Sequence, residues 1–207
     1  IYDTTLRDGA QSEDVNLSLE DKIRIVKKLD ELGVHYIEGG WPGANPKDQK
    51  LFRELASYSL KKSKLVAFGS TCRKGLTPGK DEQVKSLAKL PIEIVTMVGK
   101  TWELHIRDVL RTGPEENLRM IRETIDYLSN RGKKVFFDAE HFFDGFKESR
   151  HYAVDCVSEA VEAGANLVCL CDTNGGAMPA DLMKVCSEVL CLFPVKFGIH
   201  VHNDCGL

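Results

Sequence analysis

"SLEDKIRIVKKLDELGVHYIEGG", residues 18–40, contains a complete helix-to-strand transition. Ser18 stands where a helix cap is needed, with Asp21 three residues on in the capping-box position. Leu19, Ile23, Val26, Leu29 and Leu32 recur at three- and four-residue spacing, which predicts a helix with one apolar face. Gly33 supplies a left-handed cap at the carboxyl end. The run "HYIEGG" that follows reads as a strand, and it carries one acid, Glu38.

The same unit recurs along the chain. "KLVAFGS", "IEIVTMV", "KKVFFDAE", "NLVCLCDT" and "VKFGIHVHN" read as further strands, and "IYDTTL" as the first. Between them, "GPEENLRMIRETIDYLSNRG" starts with Pro114 in a first-turn position and ends at Gly132. "ESRHYAVDCVSEAVEAG" ends at Gly164, and "MPADLMKVCSEVLCLF" begins at Pro179. Seven strands alternating with six helices predict a parallel sheet joined by right-handed crossovers. A doubly wound open sheet shares that local pattern. The count favours an α/β barrel of the TIM (β/α)8 type, truncated after about the seventh strand, with residues 1–207 forming one catalytic domain. Open edges in such a barrel lead us to expect an eighth strand and further C-terminal regions in a longer form.

Composition narrows the function classes. The 207 residues are 43% hydrophobic and 29% charged, enough for one sizeable core. A net charge of -3 from mixed signs offers no basic footprint for nucleic acid or a membrane surface. Seven cysteines, an odd count without zinc-ribbon spacing, read as buried free thiols in a reducing compartment. No apolar run reaches the roughly 18 residues of a membrane span. The expectation is a cytoplasmic protein.

The polar residues cluster where strands end. Arg7 and Asp8 follow the first strand, Glu38 ends the second, and Ser70 and Thr71 end the third. Asp138, Glu140 and His141 end the fifth, Asp172, Thr173 and Asn174 the sixth, and His200, His202, Asn203 and Asp204 the seventh. In a parallel barrel those ends share one rim, where barrel enzymes keep their active sites. His200 and His202 alternate along a strand, so both imidazoles face the same way and can hold one ion. A His-x-His pair also arises among ordinary core or surface histidines; Asp8, across the rim of a closed barrel, adds a carboxylate. Two imidazoles with one carboxylate leave positions open, and suit manganese, zinc or cobalt better than magnesium. Glu38 either contacts substrate or forms a buried ion pair that fixes Arg7. Arg73 and Lys74 could form an anion site, whereas Arg107 and Arg111 read as solvated helix charges.

Together "DTTLRDGAQ", "IEGGWPGANPKD", "DTNGG" and "HVHNDCG" resemble the DRE-TIM metallolyase family. "AFGSTCRKG", "TWELHIRDVLRTGPEENLRMI" and "DAEHFFDGFK" are most similar to its condensing branch, on the citramalate synthase side. The resemblance implies a divalent metal on Asp8, His200 and His202. It implies that Arg7 contacts the keto oxygen of an α-keto acid and Thr173 its carboxylate. Glu140 matches the family's acid at the end of the fifth strand, and His105 a histidine after the fourth. The implied reaction condenses acetyl-CoA with an α-keto acid, pyruvate first, giving citramalate and CoA. Isopropylmalate or homocitrate synthesis is the sister alternative. Carbon–carbon cleavage by a lyase or aldolase, and a scaffold that binds metal without turnover, are the others. A homodimer is expected of the longer form.

Overall fold

A computed structural model describes residues 1–204 and Gly206; Cys205, one of the seven cysteines, lies outside the described residues. The strands are β1 (Tyr2–Asp3), β2 (Tyr36–Gly40), β3 (Lys64–Ser70), β4 (Ile94–Lys100), β5 (Lys134–Glu140), β6 (Leu167–Asp172) and β7 (Lys196–Val201). All neighbours pair in parallel, in the order β1-β2-β3-β4-β5-β6-β7. The helices are α1 (Leu19–Leu32), α2 (Pro46–Leu55), α3 (Glu82–Lys89), α4 (Glu103–His105), α5 (Pro114–Ser129), α6 (Phe142–Glu148), α7 (Arg150–Glu162) and α8 (Pro179–Leu190). The one-turn α4 and the short α6 are additions to the six expected helices. None of the described helices is long and apolar enough to cross a membrane.

Interior contacts show that the sheet is curled. The Tyr2 hydroxyl of β1 lies 2.7 Å from Thr96 Oγ1, although β4 is three strands away. The Tyr2 and Phe136 rings are 6.4 Å apart, and Asp8 meets His200 of β7. This is the curvature of a TIM-type barrel, with seven strands among the described residues.

Local chemistry explains each element. Ser18 accepts from the Asp21 amide at 3.1 Å while the Asp21 carboxylate takes the Ser18 amide, so the capping box is complete. Gly33 has φ 89° and closes α1 in the left-handed conformation. Val26 is fully buried against Ile37 and Leu51, each such side chain contributing roughly 1.5–3 kcal/mol. Leu32 departs from the expected apolar face. It is 76% exposed, at the last turn of α1 just before the Gly33 cap. The face instead includes Lys22, whose ammonium is buried and donates to Asp48 at 2.6 Å and to the Leu6 carbonyl at 3.0 Å. The first strand is also shorter than "IYDTTL". The Thr4 carbonyl collects the amides of Arg7, Asp8 and Gly9, and this turn ends β1 at Asp3.

The main core packs β3–β6 against α3, α5, α6 and α7, with Phe137, Met97, Ile121 and Phe142 fully buried or nearly so. The six described thiols are unpaired; Cys72, Cys156 and Cys171 are buried and Cys191 is exposed.

Candidate active site and metal centre

The tight turn after β1 sets Arg7 and Asp8 side by side at the mouth of the barrel. Thr5 holds it from below, its amide and hydroxyl donating to Asp3 at 3.0 and 3.1 Å. Fully buried Leu6 pins it to the α1 core. Arg7 Nε donates to Glu38 Oε2 at 2.6 Å, and its guanidinium lies 4.0 Å over the Phe68 ring. Glu38 is completely buried, and its other oxygen takes the Tyr2 hydroxyl at 2.6 Å. The buried-ion-pair reading of Glu38 is therefore the arrangement found. Burial raises the Glu38 carboxyl, while the Arg7 charge and the two hydrogen bonds work against that rise.

Asp8 accepts from Arg7 Nη1 at 3.3 Å through Oδ1 and turns its other oxygen toward β7. Its Oδ2 lies 3.4 Å from His200 Nε2 and 3.7 Å from His202 Nε2, and the two imidazoles stack with centroids 5.0 Å apart. The three donor atoms all fall within 4.8 Å of one another. Burial lowers the His200 imidazole, so the neutral form that ligates a metal is favoured. An oxygen and two imidazole nitrogens with solvent access fit a divalent ion with open positions. These residues could hold one.

A cavity of ≈190 Å³ gathers Arg7, Asp8, Glu140, Thr173, His200 and His202 along its wall. Six of the eight site residues expected from the sequence thus share one space. Glu38 does not line it and meets it through Arg7. His105 lines neither this cavity nor the next. It stacks on Trp102 at 4.9 Å and meets the edge of His141 at 4.2 Å, and burial lowers its imidazole.

A second cavity of ≈490 Å³ shares Arg7 and Glu140 and extends past Arg73, Lys74 and Lys100. Lys74 Nζ is tied to the Arg111 carbonyl at 2.9 Å. Arg107 is exposed and paired with Asp108, as its reading as a solvated charge required. Thr173 Oγ1 accepts the His141 amide at 2.9 Å; His141 itself holds a left-handed φ of 55°. Such a conformation is costly for a non-glycine residue, and it turns the chain so that Glu140 and the Thr173 hydroxyl stand together.

Lys100, which contacts the Glu140 carboxylate, is a residue the sequence reading missed. It ends β4, so the same strand-end rule would have found it. Gln11 and Phe68, which line both cavities, carried no comparable signal.

The HMGL-like family model matches residues 1–207. An (R)-citramalate synthase of Aquifex aeolicus is 52% identical over 205 residues, covering 99% of this chain and 39% of that protein. An (R)-citramalate synthase of Sulfolobus acidocaldarius is 48% identical over 206 residues, 100% of this chain and 39% of that protein. The chain thus spans well under half the length of these relatives. A solved HMG-CoA lyase of Brucella melitensis is similar at a TM-score of 0.79 and 17% identity, over 99% of this chain and 72% of that one. At that identity the likeness concerns the fold. Matched from end to end, this chain belongs to the HMGL-like family.

Proposed function

We propose that the chain carries the catalytic barrel of a citramalate-forming enzyme, which condenses acetyl-CoA with pyruvate and releases CoA. The observation that carries this reading is the pair of cavities meeting at Arg7 and Glu140. One is small and has a cluster suited to a metal; the other is larger and cationic. The relatives named as citramalate synthases support the choice of pyruvate.

Asp8, His200 and His202 would hold a divalent ion, with manganese, zinc, cobalt and magnesium as candidates. When bound, the ion supplies Lewis acidity to a keto carbonyl. Pyruvate lies in the small cavity with its carboxylate on the Thr173 hydroxyl. Arg7, permanently charged and fixed in direction by Glu38, faces the keto oxygen and stabilises the negative charge that builds there. Acetyl-CoA enters from the larger cavity, its phosphates toward Arg73 and Lys74. Glu140 borders both cavities, where a base removing the thioester methyl proton has to stand. Lys100 holds that carboxylate in place. The new carbon–carbon bond forms as the keto oxygen takes up charge and then a proton. Water then cleaves the thioester, freeing CoA. His105 touches neither substrate in this reading and acts by packing against His141 behind Glu140. A cytoplasmic homodimer belongs to the same proposal for the longer protein; sedimentation that found only monomer would remove the dimer from it.

CoA release from acetyl-CoA with added manganese tests the reaction, with pyruvate, 2-oxoisovalerate and 2-oxoglutarate compared. A control without keto acid subtracts the chain's own thiols, and the Aquifex aeolicus relative is assayed alongside. Release with pyruvate alone is expected. Preference for another acid would make this a sister synthase, and release with none of them would overturn the condensation.

A further inference from the structure

One layer below the rim lies a second set of donors that the proposed reaction does not use. Cys169 and Cys171 are two residues apart on β6 and therefore face the same side. Asp138, on β5, is the register partner of Cys169. One Asp138 oxygen and the two sulfurs lie within 4.8 Å of one another. Asp138 is half-buried, and it lines the cavities on either side of this level. Its nearest cation, Arg7, is already engaged by Glu38.

We propose that Asp138, Cys169 and Cys171 form a second cation site, for a thiophilic divalent ion such as zinc or cadmium. Two sulfurs sharing a tetrahedral zinc at about 2.3 Å each stand roughly 3.8 Å apart, within reach of the present spacing by small side-chain rotations. Two thiolates select a soft ion over magnesium or calcium. A cavity of ≈330 Å³ lined by Asp138 and Cys169 supplies an entry path and room for a water ligand. Asp138 and Cys171 also line the ≈190 Å³ cavity above, beside His200. Two divalent ions in adjoining layers repel, so filling the lower site weakens ion binding at the upper one. The site acts as an antagonist of the rim metal, and it stands whether or not the condensation reading does.

Cadmium titration of the metal-free chain tests this, because only thiolate ligands give the ultraviolet sulfur-to-cadmium charge-transfer band. One equivalent is expected to raise the band. Cys169→Ser and Cys171→Ser should each lose it, while Cys191→Ser and His202→Ala keep it. A band that survives both serine variants, or no band at all, overturns the proposal. Circular dichroism checks the fold of each variant. Cadmium-edge X-ray absorption on the unaltered chain gives an independent reading: two sulfurs are expected, and a shell without sulfur overturns the site. A manganese titration with one equivalent of cadmium present should show weaker manganese binding; unchanged binding would overturn the antagonism.

Discussion

Arg7 and Asp8 are neighbours in the chain, yet they belong to two constellations built in opposite ways. Arg7 enters a closed network: Glu38 at 2.6 Å, Tyr2 on Glu38 at 2.6 Å, and Thr96 on Tyr2 at 2.7 Å. The Glu38 side chain is wholly buried and that of Arg7 is 12% exposed. Asp8 enters an open one, with imidazoles at 3.4 and 3.7 Å and side chains 22–34% exposed. Hydrogen bonds at normal distances leave the first group little freedom, and its charges cancel. The second meets the first through the 3.3 Å bond from Arg7 Nη1 to Asp8 Oδ1, but Asp8 Oδ2 and the two imidazoles converge on a point of their own. A satisfied network fixes direction, whereas an unsatisfied one binds something. The turn after β1 serves both because one carbonyl, that of Thr4, holds both residues.

Removing a member of the open group should have the largest effect. Asp8→Ala or His202→Ala is expected to abolish metal-dependent turnover. Manganese affinity should fall beyond the roughly 10–100-fold that follows loss of an outer partner. Melting temperatures should stay near that of the unaltered chain, because Arg7, which loses its bond to Asp8 in the first variant, keeps Glu38. Retained manganese affinity in both variants would end the distinction between the groups.

Arg7→Lys comes next. A lysine keeps the charge but loses the planar fork that meets Glu38 and the substrate side together. Turnover is expected to drop about 10²–10³-fold, the cost of losing one donor to a developing oxyanion, with manganese affinity little changed. A parallel loss of manganese affinity would mean that Arg7 shapes the metal cluster rather than the charge on the substrate.

Much of this was legible in the sequence, for physical reasons. Helix and strand periods differ, so the alternation of units was plain, and Ser18, Gly33, Pro114 and Pro179 marked element ends by rules that act within a few residues. Strand ends gather at one rim by topology, which brought six of the expected site residues together. What escaped depends on contacts between elements far apart in the chain. Lys22 reads as a solvent-facing helix charge until Asp48, 26 residues on, is placed beside it. His105 lies near the rim in sequence, but its ring is turned onto Trp102 and His141. Glu38 could be read two ways from the sequence, and only the 2.6 Å contact with Arg7 separates them.

Asp138 lies between the two groups, and its titration sharpens the contrast. Burial, followed by the Glu38 charge, raises its carboxyl to about 8, against about 3.9 for an aspartate in an unfolded chain. Between those values the folded chain keeps a proton that the unfolded chain gives up. The stability tied to that proton is present at low pH and is lost as pH rises from roughly 4 toward 8. Asp138→Asn removes the titration. Urea midpoints of the metal-free unaltered chain should therefore fall relative to those of the variant between about pH 5 and pH 7.5. Parallel profiles would mean that Asp138 is already ionised in the folded chain.

The smallest effect expected is from Tyr2→Phe. It deletes one hydroxyl that bridges Glu38 and Thr96, leaving the Arg7–Glu38 contact intact. The loss should be about 1–3 kcal/mol of stability, that of an unmade buried hydrogen bond, read from urea unfolding. Turnover should fall only modestly, because Glu38 still aims the guanidinium. Manganese affinity should not move, since Tyr2 touches no member of the Asp8 group. If this variant weakened manganese binding as strongly as Asp8→Ala, the closed network would be setting the position of the open one. The two constellations would then have to be treated as a single unit joined through the turn at residues 4–9.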